Sequence, residues 1–297
     1  MNQRRALLVD AFTTEPLSGN VAGVVPNADG LNQPQMQAIA SELGASETAF
    51  VQSSDAADRR LRYFTPEVEV DLCGHATVAA HAQLFESGTI DAGTHSFETN
   101  VGVLDIDVGD DGVIWMTQQP PEVRDADVAI ETVAEALALE PAAISDVELP
   151  LARATTGVPA LIVPVAFLGA LGDVELDRAA VLDLCEQVDA DGVYAFTFDT
   201  LEADATLHGR FFGPALGIDE DPVTGTASGA VAGYLKDVGA FSPMPDEIVC
   251  EQGHFVDRPG IVRVRLNDTV SVGGRAVRTL DGELAVPDLA TDEILEV

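Results

Sequence analysis

Short motifs recur in the same order in the two halves of the sequence. The segment RYFTP at residues 62–66 reappears as RFFGP at residues 210–214, an offset of 148 in a chain of 297 residues. Two further matches keep this order, at offsets of 146 and 151: AFV at 49–51 with AFT at 195–197, and CGHAT at 73–77 with TGTAS at 224–228. Each match is short, but the collinear series indicates an internal duplication. The chain is therefore expected to fold as two similar halves.

The hydrophobic pattern predicts a similar order of elements in each half. Runs rich in β-branched and aromatic residues predict strands, and apolar residues spaced by three or four predict helices. The first half is predicted to have helices at 34–43 and from Gly74, with strands at 7–12, 22–25, 48–52, 61–65, 96–100, 104–108 and 113–117. The second half is predicted to have helices at 178–188 and 225–236, with strands at 153–156, 161–165, 193–198, 207–212, 247–251, 261–266 and 276–280.

Two lobes of mixed α and β structure follow from these elements. A domain usually takes roughly 100–200 residues, so 297 residues suit two lobes. Residues 118–121 (QQPP) are the predicted linker. The first lobe is expected to span 1–117, with a C-terminal return at about 281–297, and the second lobe to span 118–280.

The chain is strongly acidic, with 50 Asp and Glu against 15 Lys and Arg and a formal net charge of −35. The acidic residues are dispersed among regular apolar patterns, which is typical of a folded chain and not of a disordered one. Lys236 is the single lysine, and the composition resembles that of a salt-adapted surface. Because carboxylates repel one another unless ions screen them, we expect unfolding at low salt. We expect no nucleic-acid partner, because a polyanion is repelled.

Several functional classes lack support in the sequence. No apolar run approaches the roughly 18 residues that span a membrane, and the five-residue stretch from Ala6 is too short for a signal peptide, so a cytoplasmic protein is expected. Three cysteines without a CxxC spacing, and five scattered histidines, indicate neither a disulfide framework nor a zinc site. The GxGxxG, GxxxxGK[ST], HExxH and GxSxG motifs do not occur. Dinucleotide-binding, P-loop, zinc-protease and serine-hydrolase functions are therefore unsupported.

Each half places a glycine where an alanine-rich helix is predicted to begin, at Gly74 and Gly225. A glycine lets a ligand approach the backbone closely. The start of a helix offers unpaired N–H groups and the positive end of the helix dipole, which bind anions. The alternative interpretation is that each glycine only permits tight packing where the turn meets the helix. The presence of the feature in both halves favours a functional role. A small carboxylate is the expected substrate.

Four side chains are candidates for chemistry. Glu47 stands in a small, apolar setting that suits a general acid/base, although surface exposure is the usual fate of a glutamate. His75 is either a proton donor or acceptor, or a helix-capping residue. Asp221 precedes a proline and is either functional or a turn and N-cap residue. Cys73 is either a buried small side chain or a thiol acidified by the helix start.

The same segments, taken together, carry a family resemblance. They are VDAFT at 9–13, GN at 19–20, SETAF at 46–50, RYFTP at 62–66, EVDLCGHAT at 69–77, EDPVTGTA at 220–227, QG at 252–253 and RPG at 258–260. The chain resembles the phenazine-biosynthesis (PhzF-like) isomerase family over nearly its whole length. The family commonly has a serine at the position of Thr226 and Gly-Asn-Pro where this chain has Gly19-Asn20-Val21.

The resemblance implies an α+β fold of the diaminopimelate-epimerase-like type. This fold has two pseudo-symmetric lobes, each with a barrel-like, mostly antiparallel sheet around a central helix, and members are usually homodimers without metal or organic cofactor. The best-understood members isomerise a dihydro-hydroxyanthranilate by moving a proton between carbons. By this resemblance Glu47 is the acid/base in the cleft between the lobes, His75 and Asp221 assist it, and Asn20, Gly74, Gly225 and Thr226 bind the substrate.

Three functions remain open from the sequence. The first is a cofactor-independent isomerase in which Glu47 moves a proton on a small carboxylate. The second is an amino-acid racemase or epimerase that uses Cys73, although Thr224 stands where the second thiol of a two-cysteine enzyme would be and cannot act as a thiolate. The third is a non-catalytic binding or scaffold protein.

Overall fold

The computed structural model describes residues 2–267 and 269–288. Contacts between residues divide the chain into two units, Met1–Met116 with Gly274–Val297, and Thr117–Gly273. The predicted return at 281–297 is described as far as Asp288, and residues 289–297 lie outside the described part. Among the described residues, no helix is both long enough and apolar enough to cross a membrane.

The described part of the first unit combines two helices with a sheet. The helices are α1 at Gln33–Leu43 and α2 at Gly74–Glu86. The strands are β1 (Asn2–Ala11), β2 (Asn20–Val25), β3 (Glu47–Gln52), β4 (Arg59–Phe64), β5 (Glu69–Val70), β6 (Gly93–Thr99), β7 (Gly102–Val108), β8 (Ile114–Thr117) and, after the second unit, β18 (Ala276–Val286). A capping box starts α1: Asn32 accepts from the N–H of Gln35, whose side chain accepts from the N–H of Asn32.

The sheet of the first unit is mostly antiparallel and surrounds α2. β1 pairs antiparallel with both β2 and β18, and parallel pairs occur between β2 and β3 and between β4 and β6. The helix α2 contacts β1, β2, β3, β7 and β18. Nine of its 13 residues are buried, and most of them are small, which lets the sheet approach the helix on several sides. The α2 helix is therefore the centre of the unit.

The second unit repeats this plan around a different helix. Its helices are α3 (Ile130–Ala136), α4 (Ala142–Ser145), α5 (Leu168–Gly172), α6 (Arg178–Val188) and α7 (Gly225–Asp237). Its strands are β9 (Glu122–Asp125), β10 (Ala152–Thr155), β11 (Ala160–Pro164), β12 (Gly192–Thr197), β13 (Leu207–Gly213), β14 (Ile218–Asp221), β15 (Glu247–Gln252), β16 (Gly260–Leu266) and β17 (Val270–Gly274). Parallel pairs again occur at two matching places, β11 with β12 and β13 with β15. The α7 helix contacts β9, β10, β11 and β16.

The two units share a partly buried ion pair of the same kind. Arg62 on β4 donates to both carboxylate oxygens of Glu69 at 2.7 Å, and its guanidinium lies 5.3 Å from the Phe64 ring. Arg210 on β13 binds Glu220 in the same bidentate way at 2.9 and 2.7 Å, over the ring of Phe212. Because the same three side-chain types meet at matching strand positions, the duplication seen in the motifs is present in the structure. The fold is the expected mixed α and β type with a large, mostly antiparallel sheet.

Two details of the sequence prediction are wrong. The last closing strand of the second unit is β17 at Val270–Gly274, which pairs with β16, whereas the predicted strand at 276–280 lies in β18 and pairs with β1. The hydrophobic pattern did not indicate β17, because this strand is short and ends in two glycines. The offset of 146 between AFV and AFT, which makes Val193 the counterpart of Glu47, is also wrong by one residue: the pairing of β12 with β11 and β13 gives an offset of 145, which places Gly192 at that position.

Candidate active site

The N-terminus of α2 meets the first residue of β3. β2 and β3 run parallel, with Ala22 opposite Glu47, and α2 packs against both strands. His75, the second residue of α2, has its Nε2 atom 3.3 Å from Oε2 of Glu47. The side chains of His75 and Glu47 are 13% and 20% exposed, so they are mostly shielded, yet solvent reaches them. Glu47 therefore does not have the surface setting that is usual for a glutamate.

His75 also contacts a serine and a cysteine. Its Nε2 atom lies 3.2 Å from Oγ of Ser46, and the Ser46 hydroxyl donates to the Val21 carbonyl at 3.2 Å. Its Nδ1 atom lies 3.4 Å from Sγ of Cys73. The imidazole thus has a carboxylate and a hydroxyl beside one nitrogen and a thiol beside the other. Sequence reasoning assigned no role to Ser46, and its position directly before Glu47 was the only signal.

A chain of buried hydroxyl groups fixes the start of α2. The hydroxyl of Thr77 donates to the carbonyl of Cys73 at 2.7 Å, so the Tyr63 hydroxyl, 2.6 Å from Thr77 Oγ1, is the donor in that second contact. Burial raises the pKa of Tyr63 far above its ordinary value, which keeps the phenol protonated. These bonds hold the backbone beside Cys73 and His75 in place, and they tie β4 to α2.

The first turn of α2 is open for an anion. The N-cap residue is Cys73, whose side chain makes no capping hydrogen bond, and His75 is the second residue of the helix, so the interpretation of His75 as a helix cap is wrong. A Cβ atom built on Gly74 meets no atom of the described residues within 4 Å. The first N–H groups of a helix have no partner inside the helix, and the dipole is positive at this end. A carboxylate can therefore bind here, beside Glu47.

In the second unit, Asp221 is joined to the start of α7. The Thr224 hydroxyl donates to Oδ2 of Asp221 at 2.5 Å. Gln252 on β15 donates to the Asp221 carbonyl at 2.7 Å, and its Oε1 atom accepts from the N–H of Thr224 at 3.3 Å. Thr224 is the N-cap of α7 and its side chain does not cap the helix, so the N-cap interpretation of Asp221 is wrong. Asp221 is instead an acceptor beside the helix start.

The predicted site residues fall into one group in each unit. In the first unit, Glu47, His75, Cys73 and Gly74 lie together, and Asn20, 3% exposed, opens β2 two residues before Ala22. In the second unit, Asp221 is joined to the residue before Gly225, and Thr226 accepts at its carbonyl from the Thr156 hydroxyl at 2.9 Å.

The two units differ in chemistry at matching positions. The strand pairing places Gly192 at the position of Glu47, and the helix starts align Thr224 with Cys73 and Thr226 with His75. A glycine is required at 192, because a Cβ atom there would come within 2.6 Å of the Phe212 carbonyl oxygen. At these three matching positions, the first unit therefore has a carboxylate, an imidazole and a thiol, and the second unit has none of them. One acid/base group, and not two equivalent ones, is what this arrangement provides.

Comparisons with known proteins agree with one another. The sequence profile of the family described as phenazine biosynthesis-like protein (PhzC-PhzF) matches residues 9–282. The chain is 36% identical to the uncharacterized isomerase YfhB of Bacillus subtilis (strain 168) over 287 residues, covering 93% of this chain and 97% of that protein. A phenazine biosynthesis protein of the PhzF family from Bacillus anthracis superposes with a TM-score of 0.87 at 34% identity, covering 96% of this chain and 100% of the other.

A more distant structure shares only the fold. The hydroxyproline epimerase from Agrobacterium vitis, solved with bound trans-4-hydroxy-L-proline, has a TM-score of 0.61 and 15% identity. The alignment covers 96% of this chain and 91% of the other. The architecture is thus that of the epimerase-like folds.

Proposed function

The chain belongs to the phenazine biosynthesis-like protein family, and from that premise we propose that it moves a proton between carbon atoms of a small carboxylate substrate. The protein is an enzyme of the isomerase class, as its relatives are named. In the proposed reaction Glu47 is the general acid/base. No metal or organic cofactor takes part in this proposal.

The pairing of Glu47 with His75 at the start of α2 carries the proposal. Oε2 of Glu47 lies 3.3 Å from the imidazole. In the proposed reaction the other oxygen, Oε1, takes the proton from the substrate carbon. At 20% exposure the Glu47 carboxylate is mostly shielded from solvent, and the contact with His75 fixes its position. Positioned acid/base catalysis contributes roughly 10²–10⁴-fold to a rate.

The proton transfer follows from these positions. The substrate carboxylate binds the N–H groups at the open first turn beside Gly74, which orients a C–H bond toward Glu47. Glu47 takes the proton, the electron pair of that C–H bond delocalises into the substrate, and Glu47 returns the proton to another carbon. His75 holds the carboxylate and stabilises its charge. Asp221 is proposed as a second hydrogen-bonding group, and Asn20, Gly225 and Thr226 as substrate contacts.

A racemase or epimerase that uses Cys73 is the second candidate. The observation that favours it is the 3.4 Å contact between Cys73 Sγ and His75 Nδ1, which pairs a thiol with a base. The position that matches Cys73 in the second unit carries Thr224, so a two-thiol mechanism has no second thiol at that point. A non-catalytic binding role has no particular observation in its favour.

Hydrogen exchange into substrate tests the proposal. Wild type and the variants Glu47→Gln and Cys73→Ala are incubated in D₂O at molar KCl with a panel of small amino and hydroxy carboxylates, including dihydro-hydroxyanthranilate, and NMR follows C–H signals. Glu98→Gln, which removes a partly exposed carboxylate on β6, is the matched control. We expect exchange in wild type, in the control and in Cys73→Ala, and a loss of at least a hundredfold in Glu47→Gln.

Other results discriminate between the candidates. Exchange that persists in Glu47→Gln and disappears in Cys73→Ala would replace the isomerase mechanism with the thiol mechanism. Ligand binding without exchange across the panel would favour a binding protein. A homodimer is also proposed, and light scattering after gel filtration at high salt should then give twice the chain mass of 31.1 kDa.

A further inference from the structure

Three metal-ligating side chains converge at the start of α2. Glu47, Cys73 and His75 each offer one ligand atom, and these atoms lie within 4.8 Å of one another. Across residues 2–267 and 269–288, no other three of the Asp, Glu, His and Cys side chains converge in this way. In a chain with 50 carboxylates, that convergence sets this cluster apart from ordinary surface acids.

The distances suit a tetrahedral zinc ion. Zinc binds sulfur at about 2.3 Å, imidazole nitrogen at about 2.0–2.1 Å and carboxylate oxygen at about 2.0–2.2 Å, so two ligand atoms on one ion are about 3.4–3.6 Å apart. His75 Nε2 lies 3.3 Å from Glu47 Oε2 and 3.9 Å from Cys73 Sγ. Glu47 is already at ligand distance from Nε2, whereas the Cys73 side chain has to turn away from Nδ1, now 3.4 Å from Sγ, to bind the same ion.

The chemistry of the ligands selects the ion. A carboxylate and a thiolate together neutralise a divalent cation, and the sulfur favours zinc over the hard ions magnesium and calcium. Protein sites that bind zinc by three side chains leave a fourth position for water or another ligand. The partial exposure of His75 and Glu47, 13% and 20%, leaves access for such a ligand.

We propose that Glu47, Cys73 and His75 form a binding site for Zn²⁺, and that bound Zn²⁺ blocks proton transfer by occupying Glu47. The binding site rests on the geometry of the cluster, whereas the blocking effect rests on the function proposed above. The binding step exchanges a proton for the metal: Cys73 loses its thiol proton to solvent as the Zn–S bond forms, and no electron is transferred. Sequence scanning gave no sign of this site, because Glu47 lies in a different element from Cys73-Gly74-His75.

Direct binding measurements test the site without an activity assay. Chelator-treated protein is titrated with Zn²⁺ against a chromophoric chelator at molar KCl, for wild type and for Glu47→Gln, Cys73→Ser and His75→Asn. We expect one tight equivalent in wild type and at least a tenfold weaker affinity in each variant. His95→Asn, which removes a histidine outside the cluster, should bind as wild type does, and Mg²⁺ should not compete. Thermal melts of the metal-free variants check that each is folded.

Thiol labelling gives a second and independent measurement. Cys185 and Cys250 are 2% and 0% exposed, and burial raises the pKa of their thiols to about 11 and about 12. Cys73 is 9% exposed, so it should be the cysteine that an alkylating reagent modifies in the folded protein. Zn²⁺ should protect Cys73 from modification, and a chelator should restore its reactivity.

The outcomes separate this proposal from the proposed function. Zinc affinity that is equal in wild type and in all three cluster variants, or zinc that leaves Cys73 labelling unchanged, would overturn the site. Zinc that binds the cluster and stops deuterium exchange, with recovery on chelation, supports both proposals. Tight binding at the cluster in a protein that shows no exchange keeps the site and removes the isomerase function. Exchange that continues at saturating zinc overturns the blocking effect.

Discussion

A buried glutamate in the second unit holds the loop between β12 and β13. Glu251 on β15 is 0% exposed, and its carboxylate accepts from the N–H groups of Leu201 at 2.6 Å and Glu202 at 2.8 Å. It also accepts from Nδ1 of His208 at 2.7 Å, and His208 is itself fully buried. The Glu251→Ala variant removes one acceptor that serves three donors, so its effect on stability follows from these contacts.

The expected loss is about 3 kcal/mol in the free energy of unfolding. A buried donor that loses its acceptor costs about 1–3 kcal/mol, and three donors, on Leu201, Glu202 and His208, lose theirs here. The low end applies, because Leu201 and Glu202 are exposed residues whose N–H groups can turn to water. The His208 ring cannot do so, since its Nε2 atom is already buried without a hydrogen-bond partner among the described residues.

Urea denaturation at molar KCl measures the loss, and hydrogen exchange with mass spectrometry shows where it acts. Peptides that cover residues 198–206 should lose protection first. The control is Glu98→Ala, the matching position of β6, where the side chain is 27% exposed and contacts Arg60 and Ser54. Its expected cost is below about 1 kcal/mol. Equal losses in both variants, or unchanged exchange at 198–206, would refute the reasoning.

The contribution of Glu251 depends on pH in a definite direction. Burial by itself raises the pKa of Glu251, but the hydrogen bonds from His208 and from two N–H groups outweigh burial and leave the pKa below its ordinary value. The folded carboxyl therefore keeps its charge below the unfolded pKa of about 4.3. The stabilisation by the ionised Glu251 carboxylate is fully present above the unfolded pKa, and it is lost as the pH falls through the folded pKa. Wild type and Glu251→Gln should thus converge in stability in acid.

Three further predictions concern charge. The melting temperature should rise with KCl from dilute to molar concentration, because screening relieves repulsion in a chain of charge −35, and an unchanged melting temperature would contradict the salt-adapted interpretation. Arg210→Ala should lower the free energy of unfolding, measured by urea denaturation, by about 3–5 kcal/mol, because that guanidinium also donates to the Leu171 carbonyl at 2.9 Å. Arg62→Ala should lower it by less than half as much. Burial lowers the pKa of His81 to about 4 in the folded protein, so as the pH falls below 6.5 the unfolded chain binds a proton before the folded protein does. The free energy of unfolding should therefore fall by up to about 3 kcal/mol between pH 6.5 and pH 4. The variant His81→Gln should reduce this dependence on pH.

Local patterns in the sequence were sufficient to predict most helices and strands and the internal duplication. The helix predicted at 178–188 is α6, Arg178–Val188, because Asp177 caps its start and its apolar residues keep helical spacing. The repeated RxF motif marks a real structural repeat, since Arg62 and Arg210 make the same ion pair in the two units. Glu47, His75 and Asp221 were named as candidates from their motifs. Short strands such as β5, β9 and β14 were missed, because two to four residues carry too little pattern.

Only the tertiary structure decided which distant residues meet. The strand at Ala276–Val286 joins β1, at the other end of the chain, and the sequence pattern alone had placed it in the second half. Strand pairing between distant segments depends on the partners available in the folded chain, and a local pattern does not contain that information. For the same reason, the approach of Ser46 to His75 was invisible in the sequence: it requires the parallel pairing of β2 with β3 and the packing of α2 on both.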